Sequence, residues 1–187
     1  MATGQVNIQF CGFGGQGIVL SAVIFGTAAV TRAGLNAVQT QSYGSEARGG
    51  ECQAEVLVSP RVIESPTAES VDILVAMSQS ALDKYLPRLK EGGTLFYDPE
   101  FVKDPPPAGD IDALAVPATR TAGDLGLKLA ANMVMLGFLQ RATGLFTEDQ
   151  LLDIVRDNVP ARFVDLNVAA VKRGAALAVE NGSRVEV

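Results

Sequence analysis

Short apolar runs alternate with helical stretches over the first two thirds of the chain. Val6, Ile8 and Phe10 alternate with polar neighbours and predict a strand from Gln5 to Cys11. A helix follows from Gln16 to about Arg32, with Gly34 as its stop. Ile18, Val19, Leu20, Val23, Ile24, Phe25, Ala28, Ala29 and Val30 leave this helix apolar on nearly all sides. A surface helix keeps a polar stripe, so a second burial partner is expected, either another subunit or a second copy of the chain. Strands are expected from Asn36 to Gln41 and from Glu51 to Val58, with Val62-Ile63-Glu64 returning antiparallel after Pro60. Val71 to Ala76 reads as a buried strand, and Ser78 or Ser80 caps a helix reaching Leu86, where Pro87 breaks it. Glu91-Gly92-Gly93 is read as a turn, Thr94 to Tyr97 as a strand, Lys103 to Gly109 as a stiff proline loop and Ile111 to Val116 as the last strand.

From Thr119 onward the chain reads as helical. Leu129, Met133, Leu136 and Leu139 recur at helical spacing between Lys128 and Arg141. Thr147 and Gln150 form a capping box, with Phe146 and Leu151 as its hydrophobic staple. The last helix runs from about Asp165 to Glu180 and stops near Gly182. The order of elements predicts an α/β fold in one domain over residues 1–187. It is a three-layer sandwich on a mainly parallel sheet, with a Rossmann-like glycine turn and a helical C-terminal third.

Two polar stretches interrupt this pattern. Cys11-Gly12-Phe13-Gly14-Gly15-Gln16-Gly17 joins the first strand to the first helix, and Gly12, Gly14 and Gly17 fit G-x-G-x-x-G. Glycine permits a tight turn and close approach of a ligand, and a helix start favours a phosphate or carboxylate. A dinucleotide enzyme would also place an acid at the end of strand two, to hold a ribose hydroxyl. Asn36-Ala37-Val38-Gln39-Thr40-Gln41 contains no acid, and no arginine for a 2′-phosphate. Close packing of the helix on the sheet is the other reading of the glycines. The second stretch is Gln41-Ser42-Tyr43-Gly44-Ser45-Glu46-Ala47-Arg48-Gly49-Gly50-Glu51. It is expected to leave strand two at the same sheet edge as the glycine turn. Arg48 is its only cation and suits an anion, with Gly49 and Gly50 allowing close approach.

Composition narrows the chemistry. The 187 residues are 48% apolar and 19% charged, as in a globular chain with a sizeable core. A net charge of −6 argues against duplex nucleic acid as a partner. Two cysteines and no histidine fall short of a four-thiolate iron–sulfur cluster and of the usual zinc ligands, and exclude a histidine-dependent triad. No metal ligand set and no catalytic residue is therefore assigned. The start of the chain lacks signal-peptide regions and no apolar run approaches a membrane span. A cytoplasmic protein with reduced Cys11 and Cys52, both buried free thiols, is expected.

At Gly12-Phe13-Gly14-Gly15-Gln16-Gly17 and Gln41-Ser42-Tyr43-Gly44-Ser45-Glu46-Ala47-Arg48-Gly49-Gly50 the chain resembles the gamma subunit of the 2-oxoacid:ferredoxin (acceptor) oxidoreductases. The resemblance extends over the strand at Val71 and the Gly92-Gly93 turn, and so covers most of the chain. It implies a multisubunit enzyme that oxidatively decarboxylates a 2-oxoacid to an acyl-CoA and passes electrons to ferredoxin. Thiamine diphosphate, Mg2+ and [4Fe-4S] clusters are implied on other subunits, namely alpha and beta partners and a ferredoxin-like delta subunit. Coenzyme A is the implied co-substrate, and the gamma chain packs on alpha and shapes the coenzyme A side. The ligand or interface residues implied are Gly12, Gly14, Gly15, Gln16, Gly17, Ser42, Tyr43, Glu46, Arg48, Gly49 and Gly50. The loop looks more like the 2-oxoglutarate type than the pyruvate type, with branched-chain 2-oxoacids a further option. Alone, the chain is expected to be inactive and able to pair with itself. Gamma-type subunits of indolepyruvate oxidoreductases and a free-standing nucleotide-binding Rossmann-like enzyme stay open as alternatives.

Overall fold

The computed structural model describes residues 4–43, 50–107, 109 and 111–185. Alternation in the first strand, β1 (Val6–Phe13), sends Val6, Ile8 and Phe10 to one sheet face and Asn7, Gln9 and Cys11 to the other. Helix α1 (Ile18–Thr31) covers the first face, and β2 (Asn36–Tyr43) and β3 (Glu51–Ser59) follow. Next come β4 (Val71–Ala76), α2 (Gln79–Tyr85), β5 (Leu89–Tyr97) and β6 (Asp112–Ala115). The remainder is helical: α3 (Ala118–Asp124), α4 (Ala131–Thr143), α5 (Glu148–Asn158) and α6 (Val164–Glu180).

The six strands lie in the order β2-β3-β1-β4-β5-β6. β1 runs parallel to β4, β4 to β5 and β5 to β6, while β3 is antiparallel to both β1 and β2. The expected parallel pairing of Val6–Phe10 with Val71–Ala76 is present, through Ile8↔Ile73 and Phe10↔Val75. Residues of α1, α3, α4 and α5 share one buried apolar cluster with Ile8, Phe10, Val56 and Ile73. A thinner layer containing Ala81 and Leu82 of α2, with Val102, covers Cys11, Leu74 and Leu95 on the other face. The three-layer α/β expectation holds. Among the described residues no helix is long and apolar enough to cross a membrane.

Several local expectations hold through their capping chemistry. The Ser78 hydroxyl accepts from the Ala81 N–H, and Thr147 with Gln150 forms the reciprocal capping box of α5. Others are corrected. Val62-Ile63-Glu64 is not a strand. Two adjacent apolar residues before Pro66 offer no alternation to bury, and Val62 faces solvent. The Gly92-Gly93 turn is a bulge inside β5: pairing steps from Val71↔Leu89 to Ile73↔Thr94, and Gly92 takes φ 72. Part of the second cover for α1 comes from the chain itself. Phe25 of α1 is fully buried and packs at a tilt against Phe146, with ring centroids 4.8 Å apart, while the Phe10 ring of the sheet lies 6.3 Å from it. Val30 alone among the larger apolar side chains of α1 is exposed.

Candidate functional site

Because β1, β4, β5 and β6 are parallel, their carboxyl ends meet along one edge of the sheet. β2 ends at that edge too, since two successive antiparallel pairings restore its direction. Open α/β sheets bind ligands there, where connections diverge to opposite sides. From β1 the chain crosses through α1 toward β2, while β4 lies on the other flank. The sequence places a glycine turn at this divergence.

β2 and β1 are not neighbours, because β3 stands between them. The two polar stretches nevertheless meet. Phe13 pairs with Glu51 and Tyr43 with Cys52. The Gly14 N–H donates to the Gly50 carbonyl at 3.0 Å. The base of the second stretch is thus fastened to the glycine turn. Ser42 sits near the end of β2 and is exposed. Glu46, Arg48 and Gly49 lie outside the described residues.

Three glycines of the turn each have their own cause. At Gly12 a Cβ would lie 2.5 Å from Gln16 Oε1 and 2.9 Å from Met77, so close packing forbids a side chain. Gly15 takes φ +95 with open space where a side chain would stand. Gly17 is left-handed and is the N-cap residue of α1. Its carbonyl accepts from the Ser21 N–H at 2.8 Å and from the Asn132 amide at 3.4 Å, which ties the turn to the start of α4. Gln16 folds back on the turn. Its Oε1 accepts from the Phe13 N–H at 2.7 Å and its Nε2 donates to the Met77 carbonyl at 2.9 Å.

The opposite wall comes from segments after β4, β5 and β6 that the motifs did not single out. Asp98 is fully buried just past β5. Its carboxylate accepts the Glu100 N–H at 3.0 Å and the Thr119 N–H at 2.8 Å. It thereby serves the start of α3, whose N-cap Pro117 offers no side-chain bond. Gly15, Gln16, Met77, Glu100, Phe101, Thr119, Lys128, Leu129 and Ala131 line a pocket of about 230 Å³. Met77, Phe101 and Leu129 give apolar walls, while Gln16, Thr119, Lys128 and Glu100 give polar groups. Ligand pockets commonly span about 300–1,000 Å³. This one is smaller and is flanked by exposed Phe13, Phe101 and Leu129, as suits a surface completed by something laid against it. Positions such as Met77 and Asp98 could have been found by a general signal, the residues just past an apolar strand run.

The electrostatics favour binding over covalent chemistry. Lys84 bonds to Glu51 at 2.8 Å, and that bond holds its ammonium above the ordinary lysine range. Burial, helped by the charge of Glu51, raises the Cys11 thiol far above its usual range, and burial raises that of Cys52. Both are free, and they face opposite sides of the sheet, Cys11 toward the α2 layer and Cys52 toward α1. A cubane cluster requires about four converging thiolates, which these two residues do not offer, and no step is assigned through such a group here. Among the described residues no three of the usual metal-ligating side chains gather.

A family model described as pyruvate ferredoxin/flavodoxin oxidoreductase matches residues 7–177. The chain belongs to that family. It is 44% identical to the 2-oxoglutarate synthase subunit KorC of Methanothermobacter thermautotrophicus, over 95% of this chain and 97% of that protein. The solved gamma subunit of a keto/oxoacid ferredoxin oxidoreductase from Geobacter sulfurreducens is 39% identical, with a TM-score of 0.83 over 94% of this chain and 99% of that one. A 2-oxoglutarate:ferredoxin oxidoreductase from Magnetococcus marinus, solved with 2-oxoglutarate, coenzyme A and succinyl-CoA, shares the fold. Its TM-score is 0.85 at 23% identity, over 99% of this chain and 32% of that one. The family is one of oxidoreductases acting on 2-oxoacids, and this chain is a gamma-type subunit within it. The free-standing nucleotide enzyme is not favoured. Where a dinucleotide fold sets its acid-bearing second strand, this family member has antiparallel β3, and Glu51 at that edge is already paired with Lys84.

Proposed function

We propose that this chain is the gamma subunit of a 2-oxoglutarate:ferredoxin oxidoreductase, and that its sheet edge forms the coenzyme A side of the assembled active site. Alpha and beta partners carry thiamine diphosphate with Mg2+, and beta and a ferredoxin-like delta subunit carry [4Fe-4S] clusters. Ferredoxin accepts the electrons, and the assembly works in the cytoplasm. The whole chain forms one gamma-type domain. Full-length similarity to KorC carries the choice of 2-oxoglutarate over pyruvate.

The sites proposed are the glycine turn, Gly12, Gly14, Gly15, Gln16 and Gly17, and the loop residues Ser42, Tyr43, Glu46, Arg48, Gly49 and Gly50. The bond from Gly14 to Gly50 supports treating them as one surface. Met77, Phe101, Thr119 and Lys128 extend it into the pocket. An apolar cleft with a few polar groups and one lysine suits the arm and phosphates of coenzyme A. The roles of this chain are to bind, to orient and to complete a water-excluding wall. The decarboxylation and electron transfer belong to cofactors held elsewhere.

The test is reconstitution. This chain, assembled with the three other subunits from the same source, should support reduction of ferredoxin that depends on both 2-oxoglutarate and coenzyme A. Omitting it should abolish that activity, and pyruvate should be the poorer substrate. Equal turnover without this chain, or preference for pyruvate, would overturn the reading.

A further inference from the structure

We infer that Gln16 is a positioning residue that fixes the width of the pocket and so governs affinity for the co-substrate; this rests on the coenzyme A reading above. Three observations converge on it. First, the two ends of its carboxamide are used in opposite senses. The oxygen accepts the Phe13 N–H inside the glycine turn, and the nitrogen donates to the Met77 carbonyl just past β4. Second, that carbonyl belongs to a fixed segment, since the Met77 N–H donates to the Cys11 carbonyl at 2.8 Å. Gln16 therefore closes a bridge between the two strand ends that flank the divergence of the sheet. Third, Gln16 and Met77 both line the pocket, and Gly12 lacks a side chain where Gln16 Oε1 sits.

At neutral pH an amide satisfies this bridge and an acid does not. A carboxylate keeps the acceptor for Phe13 but sets a second oxygen against the Met77 carbonyl. A thioether of similar length keeps neither bond. Gly15 itself meets open space on its side-chain side, so it is held through its neighbours, by the Gly14 bond to Gly50 and by Gln16. Loosening the bridge lets Gly15 and Met77 move apart. Contacts made by a bound ligand then weaken, whereas chemistry at a cofactor on another subunit keeps its geometry.

Gln16→Glu and Gln16→Met in the assembled enzyme test this. The KM for coenzyme A should rise about ten-fold in both, the effect of losing one or two hydrogen bonds that hold a binding wall. The change in kcat should stay within about two-fold and the KM for 2-oxoglutarate should not move, as befits lost binding rather than lost transition-state contact. In Gln16→Glu, acidification that protonates the new carboxyl restores a donor to Met77, so its KM for coenzyme A should fall back toward wild type at low pH. Gln16→Met should show no such return. Amide exchange in the complex should rise at residues 12–17 and 77–78 in both variants. Wild-type KM values, or a parallel loss of kcat and of both affinities, would overturn the inference. If the wild-type complex turned over 2-oxoglutarate with no need of coenzyme A, the functional reading would fall first and this inference with it.

Discussion

Arg48 is the single cation between Gln41 and Glu51, in a stretch that returns to the glycine turn through Gly50. By its chemistry a guanidinium suits an anionic co-substrate or an acidic patch of a partner, and Glu46 suits the task of orienting it better than that of meeting phosphate. Losing one charge-assisted contact costs about 1.5–3 kcal/mol, or about one to two decades in affinity. Arg48→Ala should therefore raise the coenzyme A requirement of the assembled enzyme by that factor or weaken subunit association measured by sedimentation. If both stayed at wild-type values, Arg48 would be an ordinary solvated charge. At this scale the sequence was readable where one residue type has one use, as with the glycines and the cap residues Ser78 and Thr147. It was silent on Asp98, Thr119 and Lys128. They are separated along the chain and converge only because three parallel strands end together. Gln16 was readable as part of the turn, but not as the clamp that its two hydrogen bonds make it.

Among the elements, α4 and α6 cross in backbone contact. A Cβ on Gly137 would overlap the Val171 carbonyl, and one on Gly174 would overlap that of Val134, so the two backbones touch at a reciprocal pair of glycines. Gly137→Ala and Gly174→Ala should each destabilise the fold by about 1–3 kcal/mol, read from urea midpoints, because helices in contact must separate. Midpoints equal to wild type would mean that the crossing is looser than described. A helical period does not announce such a crossing, since one glycine in an apolar run looks the same against a neighbour or against solvent. The same limit applied to α1. Its all-round apolarity correctly demanded a second cover, but periodicity carries no address for that cover. Part of it lies on the chain's own Phe146, in the turn before α5. Strand patterns were the most legible elements, because alternation and burial on β1 and β4 are enforced residue by residue.

For the whole molecule, the two thiols do not converge on one cluster site. Cys11 and Cys52 are buried on opposite faces of one sheet. Anaerobic reconstitution of the isolated chain with iron and sulfide should accordingly give no [4Fe-4S] absorption, while the complete assembly gives it. A cluster spectrum from this chain alone would require thiols from several copies and would overturn the picture. The antiparallel insertion of β3 has a wider consequence. β2 and β3 are paired in register along the sheet, and the base of the hairpin they form is bonded to the glycine turn through Gly50. Register in a half-buried strand resists slippage, because moving by one residue exchanges its two faces. The stretch between Tyr43 and Gly50 can therefore change in length and side chains while its two ends stay fixed. Residues 44–49 could be exchanged between relatives as a cassette on an unaltered frame, and these two fixed ends are the natural place to attempt such a transplant.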